Sequence, residues 1–212
     1  MNDGEDWYDW HRPYADPGSP LAHRLRLVQR HIAAWLDEHA GKPVTVVSVC
    51  AGQGRDILDV LAARPDAARV GATLIEYDPR NVATARARVA AEKLETVTVM
   101  QADAGDLASY RQAVPADLVI MAGVLGNISD GDVRTTIKAL PQFCAADATV
   151  IWTRTRRTPD LTPAIRRWLT DAGFVEEAFH APDGVLFSVG IHRFTGTPQP
   201  LPADGKIFQF IA

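Results

Sequence analysis

Cysteine is nearly missing from this chain, which carries two in 212 residues, Cys50 and Cys144. Two isolated thiols exclude a disulfide-stapled scaffold and a thiolate zinc centre. Long apolar runs are missing too: no stretch approaches the roughly 20 residues that span a bilayer. The opening MNDGEDWYDWHR is acidic and polar, the reverse of a secretory leader. Nor is positive charge in excess. With 22 Lys and Arg against 26 Asp and Glu, the formal net charge is −4, which argues against a bulk electrostatic grip on nucleic acid. The expectation is a cytoplasmic protein with no membrane, nucleic-acid or metal partner, and the sequence leaves its oligomeric state open.

What is present is core. Hydrophobic residues make up 47% and charged residues 23%, enough for one α/β domain with a buried interior. Residues 1–18 read as an aromatic, polar arm and 19–41 as an N-terminal helix, with 42–212 as the main domain. Ser19-Pro20 supplies the helix N-cap and first-turn proline. Leu21, Leu25, Val28, Ile32 and Trp35 then recur at helical spacing on one side. Strands are predicted near 44–50, 70–77, 97–103, 116–124 and 148–155, with helices near 54–63, 79–94, 106–112, 129–140 and 162–172. Two further β-rich runs, VLFSVGIHRF (185–194) and KIFQFIA (206–212), flank the proline- and glycine-rich TGTPQPLPADG. No helix fits between them, so the expectation is that they pair antiparallel as a long-looped hairpin.

The most informative stretch is VTVVSVCAGQGRD, residues 44–56. A β-branched run of buried-strand character leads into Ala51-Gly52-Gln53-Gly54, where small residues let a ligand approach the backbone. Twenty-two positions beyond Gly54, the second apolar run ends in Glu76. An acid at that strand tip suits the hydroxyls of a ribose. A nucleoside-containing ligand is therefore expected. Each piece alone has an ordinary explanation: a tight turn, a solvated strand end, a helix cap. Their joint placement at the C-terminal ends of successive strands, where open parallel sheets bind ligands, selects the functional reading.

Strand-helix units followed by an antiparallel pair resemble the class I S-adenosylmethionine-dependent methyltransferases over residues 42–212. CAGQGRD resembles that family's glycine-rich first motif and LIEYDP its second, with Glu76 as the ribose acid. MQADAGD resembles the segment whose acid, here Asp103, meets the adenine amino group. DLVIMAGVLGNI resembles the fourth-strand segment beneath the methionine moiety. The resemblance implies an α/β, Rossmann-like seven-stranded sheet, mostly parallel with a C-terminal antiparallel hairpin and helices on both faces. It implies S-adenosylmethionine as cofactor, held by Cys50, Ala51, Gly52, Gln53, Gly54, Arg55, Glu76, Tyr77, Asp78, Asp103, Ala104, Met121, Ala122 and Gly123. The expected reaction is methylation of a small-molecule acceptor at oxygen or nitrogen.

The family shares no single catalytic residue, so none is carried over; His11 and His180 are candidates for a base. Trp7, Trp10, His11 and Tyr14 in the arm suggest a lid over cofactor and acceptor, and Arg154 a partner for an acceptor carboxylate or phosphate. Met121-Ala122-Gly123-Val124 stands where the nucleobase amino-methylating signature would follow strand four, and no carboxylate cluster there suits a magnesium-assisted site. Two other readings stay open: a non-catalytic S-adenosylmethionine-binding module, and a nicotinamide-dependent oxidoreductase. The oxidoreductase is disfavoured by Ile57, which occupies the position of the third dinucleotide-motif glycine.

Overall fold

The computed structural model describes residues 13–211; Trp7, Trp10 and His11 lie outside the described residues. Seven strands, β1 (Val44–Val49), β2 (Val70–Glu76), β3 (Val97–Gln101), β4 (Ala116–Met121), β5 (Cys144–Thr155), β6 (Phe174–His180) and β7 (Phe187–Phe194), form one sheet in the order β3-β2-β1-β4-β5-β7-β6. β1 to β5 run parallel, and β7 lies antiparallel between β5 and β6. Five helices alternate with the strands: α1 (Pro20–Glu38), α2 (Arg55–Ala62), α3 (Pro79–Ala91), α4 (Asp130–Ala139) and α5 (Thr162–Asp171).

Strand alternation sorts the core into two layers. Val44 and Val46 of β1 and Leu118 and Ile120 of β4 meet α1, α2 and α3, while Val47, Val49, Val119 and Met121 meet the opposite layer around Ile137, Phe143 and Ile165. Both faces are covered, which is why these strands read as continuous apolar runs. α1 begins where Ser19 Oγ accepts the Ala22 N–H at 3.1 Å. Val28, Ile32, Trp35 and Leu36 are buried along it, each contributing roughly 1.5–3 kcal/mol by leaving water. Trp35 Nε1 also donates to Thr149 Oγ1 at 3.0 Å, tying the helix to β5. Leu21 and Leu25, on the predicted stripe, stay half-buried; Leu25 faces a cavity instead of the core.

The expected hairpin of 185–194 with 206–212 does not form. β7 pairs with β6, FVEEAFH, from Phe174 opposite Phe194 to His180 opposite Val189, with a register shift between Glu176 and Ala178. Adjacent Glu176 and Glu177 hide this strand in the sequence, yet β6 is the sheet's rim, where charge is tolerated and blocks further pairing. Glu176 pairs with Arg166 at 2.6 Å and Glu177 with Arg193 at 3.0 Å. The last residues go elsewhere. After β7 the chain crosses the α4 face, and residues 205–211 lie between the loops that follow β3 and β4. Leu107 N–H donates to Gly205 O at 2.9 Å, Ile207 N–H to Gly105 O at 2.8 Å and Ile211 N–H to Asn127 O at 3.0 Å. This strap runs along the C-terminal edge of the parallel strands.

Two smaller differences follow from local chemistry. β5 starts at Cys144, earlier than expected, because an irregularity at the positive-φ Asp147 splits it before the apolar run. The predicted helix near 106–112 is one 3-10 turn, Leu107–Tyr110, anchored by the buried Tyr110 OH donating to Ala104 O at 2.6 Å.

Candidate functional site

The strand order reverses between β1 and β4, and open sheets bind ligands at such a point. A cavity of about 610 Å³ opens there. Its floor is the turn after β1. Cys50, Gly52 and Gly54 all have positive φ, at 51°, 56° and 70°. Gly52 lines the cavity, whereas a Cβ on Gly54 would lie 2.7 Å from Leu58 and Leu74 side-chain atoms. The two glycines therefore divide the work: one opens the backbone to a ligand, the other lets α2 pack on β2.

Glu76 ends β2 and organises this turn. Its Oε2 accepts the Gly52 N–H at 2.8 Å and its Oε1 the Asp78 N–H at 2.9 Å. The carboxyl is buried, and desolvation raises its pKa despite those two donors. Each oxygen retains a further lone pair for a ligand hydroxyl. Asp78 caps α3 by accepting the Arg80 N–H at 2.8 Å, so its carboxylate serves the helix while its edge borders the cavity. Beside it Tyr77 is 74% exposed.

Asp103 follows β3 at the other end of the cavity. Its Oδ1 accepts the Gly105 N–H at 2.8 Å and its Oδ2 meets Lys206 Nζ at 3.2 Å. Lys206 comes from the strap, and the pairing raises its pKa. Ala122 and Gly123 continue the wall after β4, with Gly123 N–H donating to Thr153 Oγ1 and Asn127 Nδ2 donating to Gly123 O.

Of the residues singled out from sequence for the cofactor, Cys50, Ala51, Gly52, Arg55, Glu76, Tyr77, Asp78, Asp103, Ala104, Ala122 and Gly123 border this cavity. Gln53, Gly54 and Met121 do not: Gln53 Oε1 accepts from the Arg55 guanidinium, and Met121 points into the core. Burial, with Glu76 and Asp103 nearby, pushes the Cys50 thiol well above its usual pKa, which disfavours the thiolate.

The acceptor-side candidates scatter. Tyr14 lines the cavity, and its hydroxyl accepts from Arg24 Nη2 at 3.0 Å. Arg154 instead clamps the loop after β4, donating to Leu125 O and pairing with Asp130 at 3.1 Å. His180 lies on β6, its Nε2 2.8 Å from that of His31 on α1, outside the cavity lining. Among the described residues, no group of three or more His, Cys, Asp or Glu is placed to hold a metal, and no helix is long and apolar enough to cross a membrane.

Sequence reasoning missed three contributions. Arg24, Leu25 and Val28 come from α1, which was read as a packing helix. Asp56, buried on the first turn of α2, also faces the cavity, as do Lys206, Gln209, Phe210 and Ile211 of the strap. The strap carried no signal, because nothing local in KIFQFIA specifies a partner about 100 residues earlier.

Comparison with solved structures returns the same architecture. The chain superposes on a "possible exported protein" from Bordetella parapertussis with a TM-score of 0.68 at 19% identity, covering 89% of this chain and 79% of that one. A 1,6-didemethyltoxoflavin N1-methyltransferase from Burkholderia thailandensis, solved with 1,6-didemethyltoxoflavin and S-adenosylhomocysteine bound, gives a TM-score of 0.64 at 17% identity over 90% of this chain and 84% of that one. The magnesium protoporphyrin IX methyltransferase of Synechocystis, solved with S-adenosylmethionine, gives 0.63 at 16% over 92% and 100%. No curated protein matches the chain. A family model described as "Putative methyltransferase" matches residues 22–173, a span that holds the glycine turn, Glu76, Asp103 and β4, and the chain accordingly belongs to this methyltransferase family.

Proposed function

We propose that the chain transfers a methyl group from S-adenosylmethionine to the oxygen or nitrogen of a small molecule. The observation that carries this reading is the convergence of Gly52, Glu76 and Asp103 on one cavity at the strand-order reversal. Gly52 admits a ligand against the backbone, Glu76 suits two ribose hydroxyls, and Asp103 suits an exocyclic amino donor. The cavity volume falls in the range of nucleoside and drug-sized sites. When bound, S-adenosylmethionine supplies a methyl group already activated by its sulfonium.

The protein's share is alignment and dryness. α1 contributes Leu25 and Val28, and the strap contributes Phe210 and Ile211, as apolar walls on either side of the opening. An acceptor held between them meets Ala122, Gly123 and Asn127. Tyr14 belongs to the arm of residues 1–18, and its place on the cavity supports that arm's role as a cover.

Calorimetry tests the cofactor assignment. S-adenosylmethionine and S-adenosylhomocysteine are expected to bind at micromolar concentration and NAD not to bind; tight NAD binding without response to either adenosyl ligand overturns it. Transfer of labelled methyl to a panel of phenols, carboxylic acids and aromatic amines tests the acceptor class.

A further inference from the structure

The loop after β4 carries one oxygen that its own fold does not use. Gly123 turns the chain there at φ 87°. The Gly123 N–H donates to Thr153 Oγ1 at 2.8 Å, and Asn127 Nδ2 donates to Gly123 O at 2.6 Å. The Asn127 N–H donates to Val124 O at 2.9 Å, and Asn127 O accepts the Ile211 N–H of the strap at 3.0 Å. Arg154 of β5 holds the same loop through Leu125 O. Only the amide nitrogen can meet the Gly123 carbonyl, so the orientation of the Asn127 side chain is fixed and its Oδ1 is turned away. Among the described residues no donor reaches Oδ1, and the atom is not sealed in the interior. Asn127 lines the cavity, so Oδ1 is presented there as a rigid acceptor.

We infer that Asn127 Oδ1 receives an N–H of the methyl acceptor, and that this acceptor is an aryl amine. This rests on the methyltransferase reading above, which sets the acceptor against Ala122, Gly123 and Asn127. An amide oxygen accepts a hydrogen bond but does not take the proton away. An alcohol or neutral phenol must shed its proton to become a strong nucleophile, and a phenolate has nothing to donate to a carbonyl. An alkyl amine is an ammonium at neutral pH, as lysine is, with its lone pair already used. An aryl amine is neutral there, and its lone pair can attack the methyl carbon while an N–H stays on Oδ1. The nitrogen–carbon bond forms, the carbon–sulfur bond breaks with its electron pair passing to sulfur, and the nitrogen becomes positive. Its N–H then donates more strongly, so the contact is worth more in the transition state than before it. The arylammonium formed is acidic enough to give its proton to water. Leu25 and Val28 on one side, with Phe210 and Ile211 on the other, suit the flat apolar body of such a molecule.

Matched pairs on one ring skeleton test this: aniline against phenol, 1-naphthylamine against 1-naphthol, and 5-aminoindole against 5-hydroxyindole. Each is offered with methyl-labelled S-adenosylmethionine at pH 7.5. The amine of at least one pair should be labelled with a kcat/KM about tenfold or more above that of its phenol. Asn127→Ala should lower kcat/KM for that amine by about 10-fold, the upper range for one neutral hydrogen bond, and so collapse the ratio. Its affinity for S-adenosylhomocysteine by calorimetry should stay within about twofold of wild type. Asn127→Asp keeps an acceptor oxygen but loses the brace to Gly123 O, and it should recover most of the amine rate. Labelling of phenols alone, labelling of nothing in the panel, equal loss for amine and phenol in Asn127→Ala, or no recovery in Asn127→Asp overturns the inference. The wild-type ratio decides the matter even where a variant misfolds. Failure of the wild-type protein to bind S-adenosylhomocysteine is the separate result that overturns the cofactor reading beneath it.

Discussion

Glu76 and Gly52 are joined across the floor of the cavity: the Gly52 N–H donates to Glu76 Oε2 at 2.8 Å, from the turn after β1 to the tip of β2. The acid proposed to read the ribose is thus also the brace of the turn that admits the ligand. Replacing Glu76 with alanine removes both functions at once. Affinity for S-adenosylhomocysteine should drop by about 1–3 kcal/mol from lost hydrogen bonds to a charged acceptor. Glu76→Gln keeps one acceptor oxygen, so it should lose less. Calorimetry on the two variants, with circular dichroism to confirm folding, checks the order.

Gly52→Val strikes the same place by bulk. At φ 56° a β-branched residue is strained, and its side chain would project where the ligand must approach. Binding should be abolished while the far-UV spectrum stays close to wild type. Normal affinity in a folded Gly52→Val protein would make the turn merely structural.

His192 should set the acid limit of stability. It is fully buried; its Nδ1 accepts from Trp152 Nε1 at 3.2 Å, and desolvation lowers its pKa to about 4 despite Glu176 nearby. The folded value lies below the unfolded one, near 6.5, so the unfolded chain takes up the proton first as pH falls. The associated stability is complete above 6.5 and lost as pH drops to 4, about 3 kcal/mol in all. Urea midpoints measured across that window should fall in wild type and fall less steeply in His192→Gln.

Asp56 should act in the opposite sense. Its folded value of about 6 lies above the unfolded carboxylate value, so stability decreases as pH rises from 4 to 6 and the cost persists above that. Asp56→Asn should be more stable than wild type at pH 7.5, by up to about 3 kcal/mol, and should converge with it near pH 4.

Gly105 tests the strap from beside Asp103, whose Oδ1 accepts the Gly105 N–H at 2.8 Å. A Cβ there would lie 2.2 Å from Phe208 O, a backbone atom that cannot yield without moving the strap. Gly105→Ala should therefore loosen residues 205–211, raising hydrogen exchange at Ile207 and Ile211 above wild type while the strands stay protected. Equal exchange in the two proteins would show that the strap is held by other contacts.

The parallel half of the sheet was legible because buried strands and capped helices carry local signals: Val44–Val49 before a glycine turn, Ser19 before Pro20, Asp78 before Pro79. The site was legible where a ligand demands backbone access, at Gly52, and where an acid ends a strand, at Glu76 and Asp103. β6 was not, because Glu176 and Glu177 suit a rim strand only once Arg166 and Arg193 are known to face them. Asp56 reads as a first-turn helix acid, and its burial depends on Ser48 and α1, which no local pattern discloses. The strap was misassigned because KIFQFIA has strand character and a free partner in VLFSVGIHRF, yet FVEEAFH takes that partner first.

The strap also fixes when the cavity can exist. Lys206 meets Asp103 across 103 positions of chain, and Ile207 reaches back to Gly105. As the polypeptide leaves the ribosome, β1 to β4 and their helices emerge with their core partners close behind them. The walls at Phe210 and Ile211 arrive only after β5, β6 and β7 have followed. Nascent chains stalled anywhere in TGTPQPLPADG can hold an assembled sheet with an unfinished mouth, so methyl-donor capture should lag behind burial of the hydrophobic layers.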